Sequence, residues 1–390
     1  MNTKNFTIYC ISSLLLLLFV TVIINRIIDP FWYYRDISIN GFNAVKTEYH
    51  GYEGQIKPVI LRETRPEVVI FSNSYFEIGL NPEHPGLTDK GKFRSYNFGI
   101  AGADWVKVYC NVDFAIKHTT LRTVVIGINP LQLPLPDCST KMEPIGTIEQ
   151  KTLLFSFDAL RASINTLRHQ DRPPTHTLNG MSYFHRNNNA QIEQVFKFYL
   201  RRQLNFAAKE PCKSPVATEI PAWSYPIDHQ DVEGLKHLLI LLVNHNVNVK
   251  LVVYPNHAMW MELLMGCGDI LGRWRSLYDI AKLVEQVNTM HSLVELWDFQ
   301  GTSDILTERI RNNEVKYWQD IGHFNYEMGD VMLDVIFNGK KLKSIHSNDD
   351  FGVLLTPTSV VDRFYNYFIN RKDFIARNPW FLEDFNMFTR

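Results

Sequence analysis

An uninterrupted apolar run near the N-terminus is the strongest hydrophobic pattern in the chain. No charged residue occurs from Phe6 to Ile24. At about 1.5 Å per residue, a helix of this length reaches the roughly 30 Å of a bilayer's hydrocarbon core. A cleavable signal peptide would end in small residues, whereas this run continues into Asn25 and Arg26. The pattern therefore predicts an uncleaved, single-pass membrane anchor preceded by a short cytoplasmic tail, together spanning residues 1–30.

Residues 31–66 are predicted to form a juxtamembrane link. They begin with the aromatic cluster Phe31–Tyr34, a kind of segment that favours the membrane interface. Lys4 precedes the anchor and Arg26 and Arg35 follow it, so charge alone hardly distinguishes the two orientations. A short N-terminal tail before a lone anchor usually stays inside. We therefore expect the inner (cytoplasmic) membrane, with the body of the protein on the periplasmic, extracytoplasmic side.

Beyond residue 66, short runs of Val and Ile alternate with longer amphipathic stretches. This rhythm predicts an α/β domain over residues 67–343, built on a mainly parallel sheet with helices on both faces. The predicted strands are Glu67–Phe71, Arg122–Ile128, Val249–Tyr254 and Leu293–Trp297. The predicted helices include Asp104–His118, Val232–Val243 and Tyr326–Phe337.

Two segments depart from this rhythm. Residues 134–226 are rich in proline around two helical stretches and are predicted to be an insertion that serves as a lid or a partner surface. Residues 344–390 are rich in aromatic side chains and lack a strand signal. They are predicted to be a C-terminal extension that packs either on the domain or on a membrane partner.

Composition is that of an ordinary folded protein. The chain has 40 Lys plus Arg against 41 Asp plus Glu, and 45% of its residues are apolar. A net charge of −1 leaves no excess of cations to release counterions along a nucleic-acid backbone. Nucleic acid is therefore not expected as a partner.

The cysteines suggest a disulfide and no metal. Four of the five lie in the part placed outside the cytoplasm, where disulfides form and four thiols allow three pairings. Cys138 and Cys212 are predicted to pair, because both lie in proline-containing sequence toward the two ends of the insertion. Cys110 falls inside a predicted helix and is interpreted as a small buried apolar residue. No C-x-x-C or H-E-x-x-H spacing occurs, so neither a metal nor another cofactor is predicted.

A serine directly follows the first predicted strand, at the edge where parallel sheets place their sites. The sequence there is Ser72-Asn73-Ser74-Tyr75, with Ser74 as the candidate nucleophile and Asn73 and Tyr75 as candidate cleft residues. Serine and asparagine are also common turn residues, so a capped turn is the alternative for this block taken alone.

Later blocks add groups suited to acyl transfer. A glycine-rich stretch ending at Gly102 lets backbone approach a substrate, and the amide of Asn129 can donate to a developing oxyanion. Asp320 and His323 are spaced so that a carboxylate can lie beside an imidazole on one turn. His257, which follows a strand, is a further candidate for the cleft, with helix capping by the neighbouring Asn256 as the alternative explanation of this block.

The order of these blocks resembles the SGNH (GDSL-like) hydrolase superfamily. The resemblance covers roughly residues 67–337 and rests on the serine after a strand, N-x-G-x-x-G, G-x-N and D-x-x-H. It implies a flavodoxin-like three-layer α/β fold. The site residues that it implies are the nucleophile Ser74, the base His323 with its orienting carboxylate Asp320, and oxyanion donors at Ser74, Gly102 and Asn129.

The single anchor, this set of blocks and the sequence V-E-L-W-D-F around Trp297 look like the membrane-anchored branch of DltD-like and AlgJ/AlgX-like proteins. Members of that branch resemble partners of membrane-bound O-acyltransferases. The resemblance implies a serine acyltransferase or esterase that acts through an acyl-serine on O-acyl groups, acetyl or similar, of a cell-envelope polysaccharide. It also implies a polytopic O-acyltransferase as the membrane partner.

The first block differs from the family pattern, because Ser72 and Asn73 stand where Gly and Asp are usual. Pro130 also follows the block-three asparagine where Asp is common. These departures motivate a second hypothesis, in which the chain is a catalytically decayed assembly or glycan-binding subunit of an envelope complex. A separation between Ser74 and His323 above about 6 Å, beyond hydrogen-bond reach, would favour that hypothesis.

Overall fold

The structure is a computed structural model of the chain. It describes residues 3–130, 133–139, 150–183, 192–207, 222–223, 231–266, 270–311, 315–342 and 351–389. The chain divides into a first unit, Met1–Arg65 with Ser139–Leu178, and a second unit, Pro66–Cys138 with Asn179–Arg390. The predicted insertion is thus divided, since its residues 139–178 group with the anchor and the link.

The described residues form the following elements. The strands are β1 (Val68–Phe71), β2 (Ser95–Asn97), β3 (Thr123–Ile128), β4 (Asn248–Val253), β5 (Val294–Asp298) and β6 (Val353–Leu354). The helices are α1 (Thr3–Ile28), α2 (Glu53–Thr64), α3 (Ser74–Gly79), α4 (Pro85–Thr88), α5 (Trp105–His118), α6 (Gln150–Phe155), α7 (Phe157–Arg168), α8 (Ile192–Ala207), α9 (Glu233–Asn244), α10 (Ala258–Gly266), α11 (Ile270–Asn288), α12 (Tyr326–Asn338), α13 (Pro357–Arg377) and α14 (Trp380–Thr389). A 3₁₀ turn covers Tyr49–Gly51.

The second unit is built on one sheet with strand order β2-β1-β3-β4-β5-β6. The first five strands are parallel, and β6 pairs antiparallel with β5. The prediction of an α/β fold with a mainly parallel sheet is confirmed. All four predicted strands are present as β1, β3, β4 and β5. All of β1, all but the first residue of β3 and four of the six residues of β4 are buried, which explains why Val and Ile predominate in them.

The direction of the strand order reverses between β1 and β3, because β2 lies on one side of β1 while β3 to β5 follow on the other. Ligands of such sheets bind beyond the carboxyl ends of the strands at this reversal. A ligand site is therefore expected at the loops that follow β1 and β3.

The three predicted helices are confirmed as α5, α9 and α12, and side-chain caps set two of their starts. The carboxylate of Asp104 accepts a hydrogen bond from the Lys107 N–H at the start of α5. The Asn325 side chain accepts one from the Met328 N–H at the start of α12. Gly339 ends α12 in the left-handed region with a φ of 62°, a conformation that glycine adopts without strain.

The C-terminal extension packs on the sheet domain and belongs to the second unit. Two buried ion pairs hold α13: Arg371 Nε lies 2.6 Å from Glu262 of α10, and Arg363 Nε lies 2.7 Å from Asp298 of β5. The segment also contains the short strand β6, for which the sequence shows no signal. A two-residue edge strand has too few positions to show a period in sequence.

The first unit contains α1, which is long and apolar enough to cross a membrane. Its most apolar 18-residue window has a mean hydropathy of 2.6, and none of that window is buried. The carboxyl end of α1 is held by Asn25, whose amide donates to the Leu154 carbonyl and accepts from the Ser163 hydroxyl. Phe31 of the aromatic cluster is buried against Tyr52. The link also contains α2, a helix that was not predicted.

The disulfide prediction is wrong. Cys138 is bonded to Cys110 of α5, with their Cα atoms 5.6 Å apart, whereas Cys212 lies outside the described residues. The segment around Pro134 runs along α5, where the Trp105 indole N–H donates to the Pro134 carbonyl at 2.8 Å. Cys110 is therefore a half-cystine and not a free apolar residue. The partner was missed because this contact between a loop and a helix has no local pattern in sequence.

Candidate active site

Ser74 lies at the sharp turn between β1 and α3, beyond the carboxyl end of the strand. Asn73 caps the helix, since its side-chain oxygen accepts a hydrogen bond from the Tyr75 N–H at 3.1 Å. The amide of Asn73 also donates to the Tyr254 hydroxyl at 3.4 Å. Ser74 is the first residue of α3 and is partly exposed. Local capping thus holds the serine at the strand end with its hydroxyl available.

The hydroxyl of Ser74 is hydrogen-bonded to His323, 249 positions later in the chain. Ser74 Oγ lies 2.8 Å from His323 Nε2, and His323 Nδ1 lies 2.8 Å from Asp320 Oδ2. Because an ionised carboxylate only accepts, Nδ1 carries the proton and Nε2 accepts from the serine hydroxyl. The three predicted residues therefore form one hydrogen-bonded series in the tautomer that a general base requires.

The loop that carries Asp320 and His323 is rigidly braced. Asp320 Oδ1 accepts from the N–H groups of Gly322 and His323, each at 2.8 Å. Gln319 N–H donates to the His323 carbonyl at 2.7 Å, which closes a tight turn. The carboxylate is 3% exposed. A single side chain thus shapes the turn with one oxygen and orients the imidazole with the other.

Two effects oppose each other at Asp320. Burial raises the pKa of this carboxyl, but the hydrogen bond from the His323 side chain and the two backbone N–H groups outweigh it and hold the pKa below its usual range. Asp320 therefore stays ionised throughout the neutral range. A fixed negative charge next to Nδ1 stabilises the imidazolium that would form when His323 takes a proton.

Tyr75 supports the imidazole from one face. Its ring stacks on His323 with centroids 4.8 Å apart and on Tyr254 with centroids 4.6 Å apart. Burial raises the pKa of Tyr75 well above its usual value, so the phenol stays neutral. A Cβ atom on Gly322 would lie 2.5 Å from the Tyr75 hydroxyl. The glycine at this position therefore leaves the space that the tyrosine ring needs.

We expect Gly322→Ala to lower kcat for the ester hydrolysis that the sequence predicts by about 10- to 100-fold while the fold is kept. Displacement of Tyr75 would move the imidazole, and misplacement by about 1 Å costs rates of this order. The measurement is steady-state kinetics beside circular dichroism. Gly54→Ala is the control, since a Cβ there meets nothing within 4 Å. An unchanged kcat in Gly322→Ala would show that the stacked tyrosine does not position His323.

The glycine-rich block after β2 is tied to α3. Asn97 is fully buried, and its amide donates to the carbonyls of Phe76 and Leu80 at 2.7 and 2.8 Å. Gly99 packs so closely that a Cβ would lie 2.7 Å from the backbone of Glu77. Gly102 is exposed, with a φ of 68° and open space around it. Its left-handed conformation suits glycine and turns the chain toward α5.

Asn129 follows β3 and is held by an arginine that no sequence pattern indicates. Arg273 Nη1 donates to Asn129 Oδ1 at 2.8 Å, and Arg273 Nε donates to Gln300 Oε1 at 2.9 Å. The arginine is 7% exposed, whereas Asn129 is exposed. Since the amide oxygen is engaged by Arg273, the NH₂ group of Asn129 is the end left to donate to a ligand.

A cavity of about 470 Å³ opens beside Asn73 and Asn129. It extends from the turn after β1, past the end of β3, to the start of α5. The lining residues are Asn73, Ala103, Asp104, Trp105, Val106, Val108, Gly127, Ile128, Asn129, Leu133, Pro134 and Tyr254. Asn73 was predicted at the cleft, and Tyr254 is an addition; burial raises its pKa to about 12, so it remains a neutral hydroxyl.

The prediction that His257 lines the cleft is wrong. Its side chain is fully buried, with Nε2 donating to the Glu308 carbonyl at 2.9 Å and Nδ1 accepting from the Met259 N–H at 3.3 Å. The His257 ring therefore caps the start of α10. The alternative interpretation had assigned this cap to Asn256. The His257 N–H also donates to the Ile321 carbonyl at 3.0 Å, which anchors the turn that carries Asp320.

His257 predicts a pH dependence of stability. Burial lowers its pKa to about 4 from 6.5. Between these values the unfolded chain binds a proton that the native chain does not, so stability is lost as pH falls through this window. The difference corresponds to about 3 kcal/mol. We expect acidification from pH about 7 to about 4.5 to lower the wild-type Tm by several degrees more than that of His257→Gln. Equal falls in both proteins would contradict this, and His245→Gln, on the surface, is the control.

Comparisons with known proteins assign no family to the chain. Searches of protein-family models and of curated proteins find no match to this chain. Among the described residues, the one grouping of three potential metal ligands lies in the first unit and not at this site. The arrangement of Ser74, His323 and Asp320 is thus the basis for assigning chemistry. A buried carboxylate and an imidazole, hydrogen-bonded in series to a partly exposed hydroxyl, are suited to nucleophilic attack on a carbonyl.

Proposed function

We propose that the chain is a membrane-anchored serine esterase or acyltransferase of the SGNH (GDSL-like) type. The observation that carries the proposal is the series Ser74–His323–Asp320, with both contacts at 2.8 Å, beyond the carboxyl end of β1. Hydroxyl, imidazole and carboxylate in this order are the working parts of a serine nucleophile. Each is supported by local contacts that keep it in place.

In the proposed mechanism, His323 removes the hydroxyl proton as Ser74 attacks an acyl carbonyl. The resulting imidazolium is stabilised by Asp320 and then protonates the leaving alkoxide, which leaves an acyl-serine. In the second half, His323 deprotonates the acceptor, which attacks the acyl-serine and regenerates the hydroxyl. Water as acceptor gives an esterase, and a polymer hydroxyl gives an acyltransferase.

Three donors are proposed for the oxyanion: the backbone amides of Ser74 and Gly102 and the side-chain NH₂ of Asn129. The hydrogen bond from Arg273 to the Asn129 oxygen supports this assignment, because it orients the NH₂ group away from the arginine. Loss of one such donor typically costs about 3 kcal/mol of transition-state stabilisation. Arg273 is a positioning residue in this scheme, since it acts through Asn129.

The topology and the altered first block are both compatible with this type. The order β2-β1-β3-β4-β5 is that of flavodoxin-like sheets. Asn73 stands where the family has Asp, and it caps α3 through its side-chain oxygen, a role in which Asn and Asp are equally good. The second hypothesis, a decayed subunit, is favoured by a separation above about 6 Å, whereas Ser74 and His323 are in hydrogen-bond contact.

The substrate is proposed to be an O-acyl group, acetyl or similar, on a cell-envelope polysaccharide. The cavity combines the indole of Trp105 with the amides of Asn73 and Asn129, a mixture of apolar and polar lining that suits a small acyl group on a sugar. The helix α1 would hold the catalytic unit on the extracytoplasmic side of the inner membrane, beside a polytopic O-acyltransferase as partner.

The test uses the full-length chain in detergent with an aryl acetate, first alone and then with acetylated and deacetylated envelope polysaccharides as donor and acceptor. We expect the phenol to be released faster than by spontaneous hydrolysis in buffer. This release should be lost after treatment with a serine-directed fluorophosphonate. Absence of both turnover and labelling would favour the non-catalytic subunit. Comparison of free acetate with acetylated polymer separates hydrolysis from transfer.

A further inference from the structure

Two histidines and a glutamate converge in the first unit, far apart in sequence. His50 Nδ1 lies 2.6 Å from Glu53 Oε1, and His176 Nε2 lies 2.9 Å from the same oxygen. One ligand atom from each residue lies within 4.8 Å of the other two. His50 and Glu53 flank the start of α2, whereas His176 follows α7. No sequence spacing rule could have identified this group, because its members come from two distant stretches.

The group is buried at one side and open at the other. The Glu53 and His176 side chains are 2% and 1% exposed, whereas the His50 side chain is 63% exposed. The Tyr49 ring packs edge-on against the His176 ring, with centroids 4.8 Å apart. Two of the three groups are therefore fixed in the interior, and the third faces solvent, from which an ion can enter.

The far nitrogen of His176 is oriented by a neighbour. His176 Nδ1 lies 3.1 Å from the hydroxyl of Thr175, so an Nδ1–H can donate there and leave Nε2 directed at Glu53. Metal-bound imidazoles usually make such a contact through the nitrogen that does not bind the ion, since it fixes the tautomer and the ring. The contact with Thr175 therefore supports a role for His176 as a metal ligand. An ion pair between His176 and Glu53 alone would not require this contact.

Other contacts hold the same two stretches of chain together. The Gln170 side chain accepts from the Val45 N–H at 3.0 Å and donates to the Val45 carbonyl at 2.9 Å. The Thr175 hydroxyl donates to the Lys46 carbonyl at 3.4 Å. The two sides of the cluster are therefore preformed, which lowers the conformational cost of bringing ligands together around an ion.

We propose that His50, Glu53 and His176 form a binding site for a divalent transition-metal ion of the zinc class. Two imidazoles and one carboxylate are a ligand set that Zn²⁺ accepts, with a water in the fourth position. The open side at His50 provides room for that water. The ion joins the start of α2 to the segment after α7 and so stabilises the unit that carries α1.

Lys57 is expected to weaken metal binding at this site. It is fully buried one turn further along α2, and its charge acts on Glu53. A positive charge near the ligands opposes a cation. We therefore expect a weaker site than one without a neighbouring cation, filled by the metal in stoichiometric excess.

The first test is a zinc titration of the full-length chain in detergent after removal of metals with a chelator. We expect one Zn²⁺ per chain by competition with a chromogenic chelator, and a rise in Tm on binding. Glu53→Gln and His176→Ala are expected to weaken binding by at least about 100-fold, and Thr175→Val by about 10-fold. His169→Ala, in the same unit and bonded locally to the Asn165 carbonyl, is the control expected to bind normally.

A cobalt spectrum tests the site without any variant. Co²⁺ in the wild-type chain is expected to give visible bands of a four- or five-coordinate nitrogen and oxygen site, without the thiolate-to-metal band that cysteine ligation would produce. The proposal is overturned if neither metal binds, if binding is equal in Glu53→Gln, His176→Ala and the control, or if a thiolate band appears. Activity on esters is not part of either readout, so the result is independent of the assignment of Ser74.

Discussion

Ser74→Ala is expected to lower kcat for aryl-ester hydrolysis by about 10⁴- to 10⁶-fold, to near the background rate. The reason is that alanine removes the atom that would form the acyl-enzyme, namely the hydroxyl that lies 2.8 Å from His323 Nε2. KM is expected to change little, since the cavity lining is unaltered. The measurement is steady-state hydrolysis by the purified full-length chain, with active-site titration of the wild type.

The control for this variant is Ser292→Ala, an exposed serine that should retain wild-type activity when purified in parallel. It guards against a contaminating esterase, which would give the same rate in every preparation. A Ser74→Ala protein with wild-type kcat would remove the serine from the mechanism. Thermal unfolding at an unchanged Tm would show that the loss in Ser74→Ala is chemical and not structural.

Asp320→Asn is expected to lower kcat by about 10³- to 10⁴-fold with little change in shape. Its oxygen can still accept from the N–H groups of Gly322 and His323, as Asp320 Oδ1 does now. The new NH₂ group would then face His323 Nδ1, which must become an acceptor. The proton moves to Nε2, so the imidazole can no longer accept the proton of Ser74.

The measurement is kcat beside the backbone amide spectrum of the full-length chain, which should be nearly unchanged. Asp89→Asn is the matched control, because Asp89 is exposed in the left-handed region with a φ of 47° that asparagine also adopts readily. If Asp320→Asn retained more than about a tenth of wild-type kcat, the carboxylate would be a brace for the turn and not the partner of the imidazole.

Much of the fold could be predicted from sequence because burial leaves a local pattern. Strands β1 and β3, buried at every residue but the first of β3, appear as runs rich in Val and Ile. Helix α5 shows both its apolar face and its cap at Asp104. By contrast, β6 is only two residues long. Helix α2 contains Pro58, a residue whose presence in a sequence predicts an interruption of a helix. Elements with few positions or mixed signals depend on tertiary contacts, which a local pattern does not report.

The candidate site shows the same division. Ser74, Asp320 and His323 could be proposed because each lies in a short block whose order along the chain is informative. Arg273 could not, because it is one cationic residue within α11, and its importance arises from a contact with Asn129, 144 positions away. The prediction for His257 was wrong because a histidine after a strand can face either the cleft or the interior, and the sequence does not distinguish the two. In the structure its side chain is fully buried and faces the interior.

The capture of an acyl-enzyme tests the central claim most directly. The wild-type chain is mixed with an aryl acetate, quenched with acid within milliseconds, digested and sequenced by mass spectrometry. The account predicts one acetyl group, on the peptide that contains Ser74, which decays on dilution into buffer and is absent from His323→Ala. Turnover without any acetyl on Ser74, or a stable acetyl on a different residue, would contradict it.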